Sequence, residues 1–158
     1  MSKRYRVFRI CCGIIALALL VTMWFFSSQT GEESSRVSGY VARFFMRLFG
    51  VDDTAGNFAR VGFLVRKAAH FSLFALLGMT LGLAFAPPDQ PAFAFLALPV
   101  AAICAVTDEA HQTFVMARTG MWQDALLDCC GAVLGAALAY FALLLADRRQ
   151  KRNAARKT

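Results

Sequence analysis

Four polar side chains, Asp108, Glu109, His111 and Gln112, close one long apolar stretch, and two more carboxylates, Asp124 and Asp128, open the next. Ionisable groups set against hydrocarbon cost on the order of a few kcal/mol each unless they pair or line a polar cavity, so such a cluster marks a site. Three cations, Arg66, Lys67 and Arg118, and a second imidazole, His70, are the partners the rest of the chain offers. Carboxylates beside cations can pair and fix helix register, or leave the cations to meet phosphate or carboxylate oxygens of a ligand. The acids could instead activate a water or hold a metal with His70 and His111. No zinc-type ligand spacing repeats along the chain, so neither a metal nor a cofactor is expected.

The elements that position these groups are apolar helices. Of 158 residues 58% are hydrophobic and only 17% charged, a balance outside that of soluble domains. Four stretches approach or reach spanning length: 7–26, 68–86, 91–107 and 125–146. The expected fold is therefore all-α, a polytopic membrane helical bundle of about four transmembrane helices in a single domain covering 1–158. The first stretch follows a basic start, as in a signal peptide. It is longer than the apolar part of most signal peptides and no small-residue cleavage pattern follows Phe26, so it reads as a retained span.

Basic residues gather at both ends. Lys3, Arg4, Arg6 and Arg9 give the first tail +4, and Arg148, Arg149, Lys151, Arg152, Arg156 and Lys157 against Asp147 give the second +5, leaving −2 for the chain between them out of a net +7. The excess belongs to the flanks of the spans, where it fits anionic lipid headgroups and not a nucleic acid. By the positive-inside rule both tails, near 1–6 and 147–158, are cytoplasmic, which requires an even number of spans. Every polar motif then falls on the outer face: Ser27, Ser28 and Gln29, then Arg66, Lys67 and His70, then the acidic cluster. Six basic residues against four acids in the outer segment from Ser27 to Lys67 run against that orientation.

Within that outer segment Arg36, Arg43 and Arg47 share one stripe of a helical wheel and Val41, Phe44, Phe45, Leu48 and Phe49 cover the opposite arc, the pattern of an interfacial amphipathic helix. Gly50, Asp52 and Asp53 end it. Helical spacing places Arg66 and Lys67 over His70, Asp108 over His111 and Gln112 if that helix continues past Thr107, and Asp124 over Asp128. Below Asp128 the stripe continues into Gly131 and Gly135, small enough to face a neighbouring helix. Cys11 and Cys12 lie near the cytoplasmic end of the first span, and Cys104, Cys129 and Cys130 within apolar runs; all read as small apolar filler.

Three ordered strings carry a resemblance. Phe26-Ser27-Ser28-Gln29-Thr30-Gly31-Glu32-Glu33-Ser34-Ser35, Arg66-Lys67-Ala68-Ala69-His70-Phe71 and Asp108-Glu109-Ala110-His111-Gln112-Thr113-Phe114-Val115, followed by Arg118, Asp124, Asp128 and Gly131, resemble the VanZ-like family over nearly the whole chain. The resemblance implies a small bacterial multi-pass protein of the inner or plasma membrane. Its founding member is associated with resistance to teicoplanin. Asp108, Glu109, Gln112, Arg118, Asp124, Lys67 and His70 are the matched positions, with no role implied by the match. Where the family usually reads Val-Pro-Gly-Arg this chain has Val115-Met116-Ala117-Arg118, which removes the expected turn chemistry.

The resemblance and the outer-face placement together suggest membrane lipids as partners and a lipid-linked cell-envelope precursor as ligand, with an effect on glycopeptide tolerance. Arg66, Lys67, His70, Asp108, Glu109, His111, Gln112, Arg118, Asp124 and Asp128 form the candidate binding cluster. An intramembrane enzyme acting on a lipid headgroup, a small transporter or channel, and a purely structural ion-pair cluster are the competing readings. A transporter of this size would need to oligomerise, and self-association is compatible with the sequence; no internal repeat supports that class.

Overall fold

A segment crossing lipid must satisfy every peptide group within itself, and this chain does so with helices throughout. The computed structural model describes residues 3–156, in which no strand forms. Five α-helices follow one another: α1 (Lys3–Ser27), α2 (Gly31–Leu48), α3 (Ala55–Phe85), α4 (Ala97–Gln112) and α5 (Trp122–Ala155), with a 3₁₀ segment, Pro91–Leu96, leading into α4. α1, α3, the 3₁₀–α4 unit and α5 are each long and apolar enough to cross a membrane, so the chain is a polytopic helical bundle. Of the tail residues, Met1, Ser2, Lys157 and Thr158 lie outside the described part.

The helices run further than the apolar stretches. α3 starts at Ala55 and not near 68, and at about 1.5 Å per residue its 31 residues exceed the roughly 30 Å of a hydrocarbon core. The additional turns are polar enough to escape a hydropathy reading, yet they hold α2. The helix ending in the acidic cluster continues past Thr107 to Gln112, while its first six residues wind as 3₁₀ after the Pro87-Pro88 turn. α5 carries the basic 147–155 segment as continuous helix.

Small side chains lie inside and large ones outside, the inverse of a soluble core. Ala16, Ala97, Ala101, Ala105, Ala132, Ala136 and Ala139 are buried, with Phe74 and Leu77 as the largest buried apolar groups. Leu17, Val21, Phe25, Ile103, Val106, Leu138 and Phe141 are exposed on the flanks that would meet acyl chains. Close backbone approach is what holds helices together where lipid is as apolar as leucine. It is tightest between α3 and α5: a Cβ added at Gly131 would overlap the Phe71 carbonyl, and one at Gly135 would overlap the Ala75 carbonyl and lie 2.6 Å from the Met79 nitrogen.

At the end opposite the acidic cluster, α1 is pinned to the C-terminus of α3. The Tyr5 hydroxyl donates to the Ala86 carbonyl at 2.8 Å, and Arg9 donates to the carbonyls of Ala84 at 2.6 Å and Phe85 at 3.0 Å. A guanidinium there satisfies orphan carbonyls and meets the negative end of the helix dipole.

α2 is the amphipathic helix, and it has three faces. Thr30 caps it in a reciprocal box: the Thr30 hydroxyl accepts from the Glu33 amide at 3.3 Å, and the Glu33 carboxylate accepts from the Thr30 amide at 2.9 Å. The Thr30 hydroxyl also donates to the Glu33 Oε2 at 3.0 Å, and the amide and hydroxyl donors together hold the Glu33 carboxyl below its ordinary range. Ser38, Gly39, Ala42 and Met46 pack inward on α3, and Arg43 lies over the Phe58 ring at 5.0 Å. Phe44, Leu48 and Phe49 remain exposed, as an interfacial helix requires. Gly50, at φ 64°, ends it in the left-handed conformation.

Candidate functional site

The polar residues meet at one end of the bundle because α1 ends there, α2 begins there, α4 ends there and α5 begins there, while α3 passes through. Lys67, on α3, forms an ion pair with Asp124 in the first turn of α5. One turn further in, the His70 Nδ1 lies 3.6 Å from the Asp128 Oδ2, and Asp128 is fully buried. Spacing of i to i+3 on α3 and i to i+4 on α5 thus registers two rungs, one lysine–carboxylate and one imidazole–carboxylate, between the two helices that approach most closely below them.

α4 supplies the third wall. Asp108, Glu109 and Gln112 are all buried, and the Gln112 side-chain amide donates to the Asp108 Oδ2 at 2.8 Å. Glu109 faces the connection to α5: its Oε2 accepts from the Met121 amide at 2.8 Å, and its buried Oε1 has no hydrogen-bond partner. That bond captures a free backbone donor at the N-terminus of α5, where a carboxylate is electrostatically favoured.

The loop between α4 and α5 closes the site. Arg118 reaches across it to donate to the Phe26 carbonyl at 3.1 Å, and the Gly31 amide donates to the Met116 carbonyl at 3.1 Å. Burial pulls the Arg118 guanidinium below its usual range, opposed first by the negative charge of Asp108. Ala117 sits at φ 58°. The turn that Pro-Gly would favour is therefore still made, with an L-residue in the left-handed region where glycine is normally required. The Ala117 carbonyl faces Gly31 so closely that a Cβ there would overlap it, which ties the start of α2 to this loop.

Arg66, Lys67, His70, Gln112, Arg118, Asp124 and Asp128 together line one cavity of about 210 Å³, whose remaining walls include Phe63, Met121 and Leu127. Of the expected group, Asp108 lies against the other face of His70, lining a separate small cavity with it, and Glu109 braces the loop. His111 is not part of the cavity. It turns toward α1, stacking on Trp24 with ring centroids 4.4 Å apart and its Nε2 3.4 Å from the Ser28 hydroxyl. His111, i+3 from Asp108 but i+2 from Glu109 on the same helix, looks toward α1, so helical spacing alone puts it in the wrong company. The apolar walls Phe63 and Leu127 and the Trp24 platform were missed. No chemistry-bearing pattern marks them, since an aromatic or leucine on a spanning helix is ordinarily lipid contact.

A helical membrane bundle with a polar, partly ion-paired cleft at one end is the class of protein that fold and site define. The chain belongs to the VanZ family: the family model described as VanZ/LLP1 matches residues 12–145, which includes all four spanning helices in whole or large part and every residue of the cleft. No curated protein and no solved structure gives a significant match.

Proposed function

We propose that this small membrane protein of VanZ type binds the anionic headgroup of a lipid-linked cell-envelope molecule at the outer face of the plasma membrane, and through it alters tolerance to glycopeptide antibiotics of the teicoplanin class. The observation that carries the reading is the state of two cations. Arg66 donates to the Ser35 hydroxyl at 3.2 Å and Arg118 to the Phe26 carbonyl, so both guanidiniums lining the cavity meet neutral oxygens, and neither forms an ion pair among the described residues. A guanidinium left facing a cleft suits bidentate phosphate or carboxylate recognition. About 210 Å³ is below the range of roughly 300–1,000 Å³ usual for whole small molecules, so the cleft fits a headgroup while the chain stays in lipid. The basic ends of α1 and α5 lie at the opposite end of the bundle, in keeping with cytoplasmic termini.

Native mass spectrometry of the protein in nanodiscs tests this. A polyprenyl phosphate should bind in preference to phosphatidylcholine, and Arg66→Gln with Arg118→Gln should weaken it at least tenfold with folding retained. Equal binding by that double variant refutes the reading. The enzyme reading rests on Glu109, whose buried Oε1 has no partner. Headgroup turnover abolished by Glu109→Gln with binding retained would establish it over simple binding.

A further inference from the structure

His70, Asp108 and Asp128 come from three different helices, and one ligand atom from each lies within 4.8 Å of the others. Three ligands around one ion with bonds of about 2.1 Å sit roughly 3.0–3.6 Å from one another, so the donors must close by at most roughly 1–2 Å, the scale of a side-chain adjustment, to share it. We propose that they form a site for one divalent transition-metal cation of the Mn²⁺ or Zn²⁺ kind.

Two further observations point to a ligand there. Asp128 is fully buried, and neither of its carboxylate oxygens accepts a hydrogen bond. Both partners of an ordinary buried ion pair are normally satisfied by additional hydrogen bonds, and this one faces an imidazole nitrogen at 3.6 Å, beyond hydrogen-bond range. Beside them is a cavity of about 10 Å³, walled by Met23, Phe26, Leu73 and Phe74 and with His70 and Asp108 in its lining. At the lower limit of what one water needs, it leaves the His70 and Asp108 side chains room to shift toward Asp128.

The donor set selects the metal class. Two carboxylates and one imidazole combine hard oxygen ligands with a borderline nitrogen, which suits manganese and zinc better than calcium, and no thiolate takes part. Gln112, donating to the Asp108 Oδ2, would fix that carboxylate's orientation and leave its other oxygen for the ion. Spacing along the chain conceals such a site because no two of the three ligands share a helix. His70 and Asp128 also line the larger cleft beside Arg66, Lys67 and Arg118, so open coordination positions would face it. Only that last role rests on the headgroup reading; cation binding stands without it.

Mn²⁺ titration of the full-length protein in detergent, followed by electron paramagnetic resonance, tests the site directly. One Mn²⁺ should bind per chain, be displaced by Zn²⁺, and show a ¹⁴N coupling from an imidazole. With only two histidines in the chain, the coupling should survive His111→Gln and vanish in His70→Gln. Asp128→Asn should weaken binding at least tenfold. If that variant does not fold, the wild-type stoichiometry and the His111→Gln spectrum still decide. No stoichiometric binding to the wild type, or binding without a ¹⁴N coupling, overturns the proposal. Cation binding without polyprenyl phosphate binding would leave this site standing and remove the headgroup reading; the reverse outcome would do the opposite.

Discussion

Replacing Ala117 with glycine should stabilise the protein. Ala117 adopts φ 58°, in the turn where its carbonyl packs against Gly31 and the Met116 carbonyl accepts from the Gly31 amide. An L-residue in that conformation carries about 1–2 kcal/mol of steric strain that glycine does not. Glycine in turn gives the unfolded chain more freedom, which costs about 0.4–1 kcal/mol. The difference leaves a net gain of about 0.5–1 kcal/mol. At roughly 2–4 °C per kcal/mol for a chain of this size, thermal unfolding in detergent should shift upward by about 1–4 °C. Gly50 supplies the mirror control. It has φ 64° with nothing within 4 Å of where a Cβ would lie, so Gly50→Ala introduces strain without a clash. It should lower the midpoint by a similar amount. A lower midpoint for Ala117→Gly, with Gly50→Ala behaving as expected, would show that the turn is not strained as described.

Other expectations follow from packing and charge. Gly135→Ala should lower the unfolding midpoint or prevent folding, since its Cβ meets backbone atoms of Ala75 and Met79 that cannot rotate away; overpacking of this kind costs about 1–3 kcal/mol. A double-mutant cycle of Lys67→Met and Asp124→Asn should give a coupling below about 1 kcal/mol, because both side chains keep about a quarter of their surface exposed and solvent screens the pair. A coupling well above that would mean the pair is sealed from water. Asp128→Asn is the informative contrast, expected to cost more than Asp124→Asn because its carboxylate is fully buried beside His70. A reporter active only outside the cytoplasm should be silent after residue 158 and active within 52–56; an exported C-terminal fusion would invert the outer-face assignment.

What could be read from the sequence depended on whether physics leaves a periodic trace. α2 was legible from Arg36, Arg43 and Arg47 opposite Phe44, Phe45 and Leu48, although the wheel did not reveal that a third face of Ser38, Gly39 and Ala42 packs on α3. The first thirteen residues of α3 were not, because Arg60, Arg66 and Lys67 interrupt the hydropathy that marks hydrocarbon thickness, while helix length is set by α2 packing there. That Lys67, His70, Asp124 and Asp128 would gather at one end followed from spans of alternating direction with polar groups at one face; which carboxylate each would meet, Asp124 for Lys67 and Asp128 for His70, did not. His111 pointing to Trp24 did not, since the rotation of α4 about its axis is fixed by buried alanines 97, 101 and 105. The turn at Ala117 kept a geometry that its residue types argue against, held by Gly31 from a distant part of the chain.

The pairing of α3 with α5 also constrains the order in which the protein can be made. α3 reaches the bilayer carrying Lys67 and His70, whereas the carboxylates that face them arrive on a helix separated from it by the whole of α4. Until α5 inserts and its glycine stripe docks, a lysine and an imidazole on α3 have no acidic neighbour from that helix. In hydrocarbon such residues disfavour insertion and must stay near water or a helper protein. α3 should therefore be held at the insertion machinery until α5 emerges, and any chain stalled before Asp128 should be a preferred substrate for membrane proteases.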